Sequence, residues 1–153
     1  MMRDKGIEIL EGIGLEMKKK PSEDKLQSRT EKIMGYSVEI SWDDFDNELV
    51  DDAFIRRNIV QPIVKNWKKI LKLAESDYNK YIYDWKAFKD KEEFLKEIQP
   101  NHLYLLSHSD TKKYTGFDLC ISSDRFFELM GGHELDVYFD DRGNVDNELR
   151  LNG

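Results

Sequence analysis

Two short segments of this chain hold the residue types from which catalysis is built. Ser107-His108-Ser109-Asp110 places a hydroxyl, an imidazole and a carboxylate side by side. Those are the parts of a nucleophile, its base and the group that orients the base. A triad needs them to converge in space, whereas neighbours at a strand end point apart, and no Gly-x-Ser-x-Gly elbow is present. A polar turn whose Ser and Asp side chains bond the backbone explains the segment better. The second segment holds His133, Glu134 and Asp136, with Asp140 and Asp141 farther along. On a strand Glu134 and Asp136 share a face. Zinc, however, wants three or four well-placed ligands, and no second histidine falls at helical spacing nearby. The loop Asp140 to Asn144 is too short for a calcium loop of about twelve residues. Gly12-x-Gly14, Gly131-Gly132 and Gly143 make no phosphate-cradling motif. The expectation is therefore no metal, no cofactor and no enzyme. A small hydrolase using His108, Asp110, His133 and Asp136 is the alternative, and it requires those four to meet in one pocket.

Binding chemistry is better represented than catalysis. Asp43, Asp44, Asp46, Glu48, Asp51 and Asp52 follow one another with no basic residue among them, and Trp42 and Phe45 lie in the same stretch. Arg56, Arg57, Lys65, Lys68, Lys69 and Lys72 come next with no acid between them. Acids before a helix and bases within it suit the macrodipole, which explains the order of charge but not its density. Acidic charge around aromatic anchors is what captures a cationic protein. The basic stripe reads as the solvated flank of a helix.

The elements that position these residues follow from periodicity. Ile33 to Trp42 alternates, with Tyr36, Val38, Ile40 and Trp42 on one face, as a strand does. Phe54, Ile55, Ile59, Ile63, Trp67, Ile70, Leu71 and Ala74 recur at steps of three and four, giving one apolar helical face. Pro62 interrupts that run and predicts a kink, or two helices with Pro62 opening the second. Asp90 is a plausible N-cap for a short helix through Ile98, stopped by Pro100. His102 to Leu106 and Phe117 to Ile121 read as strands, and Ser123 as the cap of a helix over 124–130. Leu135 to Phe139 and Val145 to Leu151 flank a Gly-containing loop and predict a C-terminal β-hairpin. Ile7 to Met17 and the aromatic stretch Tyr78 to Trp85 fit no single class. The sum is an α+β fold, a helical middle packed on a mostly antiparallel sheet.

Composition bounds the rest. A chain of 153 residues suits one domain, 1–153, with residues 1–24 as a loosely attached N-terminal arm that ends in the polar linker around Pro21. The net charge of −7 argues against general nucleic-acid binding, which depends on neutralising phosphates. The single cysteine, Cys120, excludes an internal disulfide framework and reads as a buried thiol in a reducing compartment. No long apolar run predicts a membrane span and the N-terminus lacks a signal-peptide core, so a cytoplasmic location is expected.

One stretch carries a resemblance. Gly116-Phe117-Asp118-Leu119-Cys120-Ile121-Ser122, a short Ser-started helix, then Glu134-Leu135-Asp136-Val137-Tyr138 resembles the immunity proteins that bacteria pair with polymorphic toxins. The likeness covers about residues 115–140. It implies a cognate toxin, often a nuclease with a basic cleft, blocked by an acidic surface, and it carries over no catalytic residues. The expectation is thus a stoichiometric inhibitor, an immunity protein or antitoxin, whose partner is a basic protein. Its primary surface would be Trp42, Phe45 and the acids Asp43 to Asp52, with Asp136, Asp140 and Asp141 as a second. A phage-encoded counter-defence inhibitor of the anti-CRISPR kind, whose acids imitate DNA, would use the same chemistry.

Overall fold

The computed structural model describes residues 26–43, 50–76, 91–123 and 134–152. The N-terminal arm, the aromatic stretch Tyr78 to Trp85, the helix expected over 124–130 and His133 lie outside the described residues.

Six strands form one sheet, β1 Gln27–Ile33, β2 Tyr36–Trp42, β3 Gln99–Ser107, β4 Tyr114–Ser122, β5 Glu134–Asp140 and β6 Arg150–Asn152, and they are hydrogen-bonded in that order. Every pairing is antiparallel except β2 with β3, which is parallel. That exception follows from connectivity, because a helical crossover separates the two strands. The α+β expectation holds. The strand expected over 33–42 is in fact two: Met34 and Gly35 turn back at positive φ, 53° and 85°, as a two-residue hairpin of the primed type demands. Ile33 therefore ends β1 and Tyr36 begins β2.

Between the hairpin and β3 the chain is helical over α1 Asp52–Ile55, a π-helical turn Arg56–Val60, and α2 Gln61–Ser76. Asp51 caps the start by accepting a hydrogen bond from the Phe54 N–H at 2.8 Å. The π turn explains how Pro62 is accommodated. A proline at this point has no N–H to give, and the wider turn, closed by the Gln61 N–H on the Arg56 carbonyl, re-registers the helix just ahead of it. Pro62 is thus the second residue of α2, close to where it was expected. A short helix, α3 Lys91–Glu97, precedes β3.

The core is one cluster between the helices and one sheet face. Ile55, Ile59, Ile63, Ile70, Ala74 and Phe94 meet Val38, Ile40, Leu103, Leu105, Leu119, Val137 and their neighbours. Phe117 and Phe139, directly opposite on β4 and β5, stack with centroids 4.5 Å apart. Phe54 of α1 meets Tyr114 of β4 edge-on at 5.1 Å, and the Asn66 side chain donates to the Gly143 carbonyl at 3.3 Å, fixing the helix to the β5–β6 end of the sheet. The basic residues Arg56, Arg57, Lys65, Lys68, Lys69 and Lys72 are all exposed, as a solvated flank requires. The C-terminal hairpin is partial. Val145 bridges to Phe139, and regular pairing resumes only at Arg150.

Candidate functional site on the outward sheet face

Alternation along the strands gives the sheet a second face, opposite the core. Register then sets its side chains in rows. One row runs Glu39, His102, Cys120, Asp136 and Arg150 across β2 to β6. The next runs Ser41, Tyr104, Asp118 and Tyr138. Glu134 and Ser122 lie at the other side of the first row, joined by a hydrogen bond from the Ser122 hydroxyl to Glu134 Oε2 at 3.0 Å.

Glu134 is a carboxylate held by three side chains. Its Oε2 also accepts from Asn101 Nδ2 at 2.8 Å, and its Oε1 lies 2.9 Å from His102 Nε2. Burial works to raise its pKa, but the hydrogen bonds from Asn101, His102 and Ser122 outweigh it and leave the group below its ordinary value. Cys120, only 4% exposed, donates its thiol toward Asp136 Oδ1 at 3.6 Å. Asp136 and Asp118 have the opposite balance. Half-burial is the main cause raising both, and for Asp118 the charge of Asp136 adds to it.

The second row ends in a concentration of negative charge around Tyr138. Burial is the first cause that raises its phenol pKa, followed by the charges of Asp140, Asp118, Asp141 and Asp146. A concavity of about 270 Å³ opens beside the ring, lined by Tyr138, Asp140, Asn144, Val145, Asp146 and Asn147. Asp140 is fixed there by its turn: its Oδ1 accepts from the Arg142 and Asn144 backbone N–H groups, each at 2.9 Å. Slight burial acts to raise its pKa, but these bonds prevail and hold the carboxyl below the usual range.

Several expected site residues take other roles. Trp42 is 5% exposed and belongs to the core, so it is no surface anchor. The reason is its parity: it shares the inward face of β2 with Val38 and Ile40. Asp51 is a helix cap, and Asp52 is exposed and pairs with Arg29 Nη2 at 2.7 Å. Asp43 is half-buried at the end of β2, while Asp44, Phe45, Asp46 and Glu48 lie outside the described residues. Of the second surface, Asp136, Asp140 and Asp141 all sit on β5 or the turn that follows it. Among the described residues of the hydrolase constellation, His108 and Asp110 do not meet Asp136. His108 is in the β3–β4 turn, its Nδ1 accepting from the Asp110 N–H at 3.2 Å. It stands six residues along β3 from His102, roughly 20 Å from the row that holds Asp136. Sequence reading missed His102, Cys120, Asp118 and Tyr138 as members of one face. The signal was present as parity: they occupy the strand positions between the apolar ones.

No family model, curated protein or solved structure matches this chain. No helix among the described residues is long and apolar enough to cross a membrane.

Proposed function

We propose that this chain is a stoichiometric protein inhibitor, of the immunity or antitoxin kind, that captures a basic protein on its outward sheet face. The observation that carries the reading is the concavity beside Tyr138, where Asp140 and Asp146 line the wall and Asp118 and Asp141 add their charge. A lysine or arginine of the partner fits that space, its cation over the Tyr138 ring and its N–H groups on the carboxylates. Asp140, ionised and held by its own turn, needs no rearrangement to receive it. The surface expected over 43–52 thereby yields first place to the one formed by β4, β5 and the turn after β5.

The test begins with the tagged chain as bait and a basic partner recovered at near-equal stoichiometry. The double variant Asp141→Lys, Asp146→Lys changes two exposed positions outside the core. Association with that partner is expected to slow by about tenfold or more, with a shallower dependence on salt, because charge around an interface acts on encounter. Unchanged association here, together with a large loss in Asp44→Lys, Asp46→Lys, would move the interface back to the first acidic segment.

A further inference from the structure

Outside the acidic concavity, the same sheet face holds an imidazole, a thiol and a carboxylate drawn from three consecutive strands. We propose that His102, Cys120 and Glu134 form a zinc site. Their ligand atoms lie within 4.8 Å of one another. Adjacent strands supply them through β-pairing: His102 is opposite Cys120, while Glu134 is two residues from Cys120's partner on β5, Asp136. The inference does not rest on the inhibitor reading.

Three features support it. The donor set of imidazole nitrogen, thiolate sulfur and carboxylate oxygen is the one zinc takes in tetrahedral sites, and the thiolate disfavours magnesium and calcium. Next, Glu134 is oriented as a ligand should be. Asn101 and Ser122 hold its Oε2, which leaves Oε1 aimed at His102 Nε2. Supporting hydrogen bonds of this kind fix ligand carboxylates in metal sites. Last, the edge between His102 and Glu134 needs little movement. The Nε2 to Oε1 separation of 2.9 Å must open to roughly 3.3 Å, the edge expected from zinc–ligand bonds of about 2 Å at a tetrahedral angle. His102, with its side chain 45% exposed, is the ligand free to swing, whereas Glu134 at 16% is confined.

On binding, the Cys120 thiol proton leaves to solvent, and His102 coordinates through Nε2 with its proton on Nδ1. The dication offsets the charge that the thiolate and Glu134 bring beside Asp136. Solvent reaches the site from the His102 side, so the fourth position is open to water. Bound zinc would tie β3, β4 and β5 together at one level.

The test uses the full chain with cobalt(II) as a spectroscopic probe and zinc as competitor. One cobalt per chain is expected, with a thiolate-to-cobalt charge-transfer band in the near ultraviolet that zinc abolishes. Cys120→Ala should lose the band. Because Cys120 is buried and that variant can destabilise the fold, His102→Gln and Glu134→Gln provide the second arm. Each is expected to keep the fold and to weaken cobalt binding at least about tenfold. Asp141→Lys, at an exposed position away from the three ligands, should bind cobalt as the parent does. The proposal falls if no thiolate band forms with cobalt in excess. It falls equally if the band is indifferent to both His102→Gln and Glu134→Gln, or if Asp141→Lys weakens binding as much as they do.

Discussion

Gly116 lets β4 and β5 approach closely under the outward face, and Gly116→Ala tests that directly. Gly116 lies in β4 at φ +135°, opposite Asp140 of β5. A Cβ built there would come within 2.1 Å of the Phe139 carbonyl oxygen and 3.1 Å of the Asp140 Cα. Both are backbone atoms, so no side chain can swing aside, and the two strands must part. Gly35 supplies the control. It also has positive φ, +85°, but a Cβ there meets nothing within 4 Å. Gly35→Ala therefore carries only the conformational penalty, about 1–2 kcal/mol. Gly116→Ala carries a similar penalty plus the loss of local β4–β5 pairing. Breaking one or two ladder hydrogen bonds, with their groups left partly unpaired, adds about 1–3 kcal/mol each. A total of about 2–8 kcal/mol is a large part of the stability of an ordinary domain. Urea unfolding followed by circular dichroism reads the difference as a fall in midpoint at constant m. The reasoning is refuted if Gly116→Ala costs no more than Gly35→Ala. If the protein folds at all, the strands that carry Asp118, Cys120, Asp136 and Tyr138 should be displaced, and the partner and cobalt should both bind less well.

Removing the helix cap with Asp51→Ala should lower stability by about 1 kcal/mol, since the Phe54 N–H loses its acceptor; a cap-competent Asp51→Ser should restore most of it in the same urea titration. Asp118→Asn should raise the melting temperature at neutral pH by ~1–2 °C, as expected for a half-exposed carboxylate costing about half a kcal/mol in a chain this size. The sign follows from its raised folded pKa: at neutral pH both states are ionised and the fold bears the cost of the half-buried charge. As pH falls through the folded value the native state takes up a proton first, so the advantage of the variant should fade toward the ordinary carboxylate range. Glu134 runs the other way, its folded pKa being depressed. Its contribution is fully present above the unfolded value and is lost as pH falls through the folded one. Glu134→Gln should therefore lower the melting temperature at neutral pH and converge with the parent in acid.

How legible this fold is from sequence differs element by element, and for physical reasons. The long helix announces itself because a single face, Ile55, Ile59, Ile63, Ile70 and Ala74, must stay buried at every turn. The strand β1 does not. It is an edge strand, with polar Gln27, Arg29 and Glu31 at its half-buried positions and no buried apolar residue until Ile33. Arg29 is held there by Glu31 and Asp52, a contact between distant parts of the chain that no local pattern encodes. Trp42 was legible as a member of the β2 face with Val38 and Ile40, and that parity is incompatible with an exposed anchor. The row His102, Cys120, Asp136 is set by strand register, which the spacing of its members along the chain does not reveal.

Under the proposed inhibitor reading, Asp118 and Asp136 would be part of the receptor on the outward face. They are diagonal neighbours across β4 and β5, for Asp118 is opposite Tyr138 and Asp136 opposite Cys120. Like charges so placed oppose strand pairing, and half-burial adds to the cost for both. Among the groups acting on both, Arg150 offers partial compensation. A solvated face would gain stability by replacing either aspartate with threonine or asparagine, so packing gives no reason for the pair. A positively charged occupant would supply one, since the field that costs the isolated fold stability becomes attraction when a cation arrives. The two aspartates should therefore lose their penalty in the complex. Asp118→Asn is expected to stabilise the free chain while weakening its hold on a basic partner, and a variant that improved both together would show that the field has no receptor role.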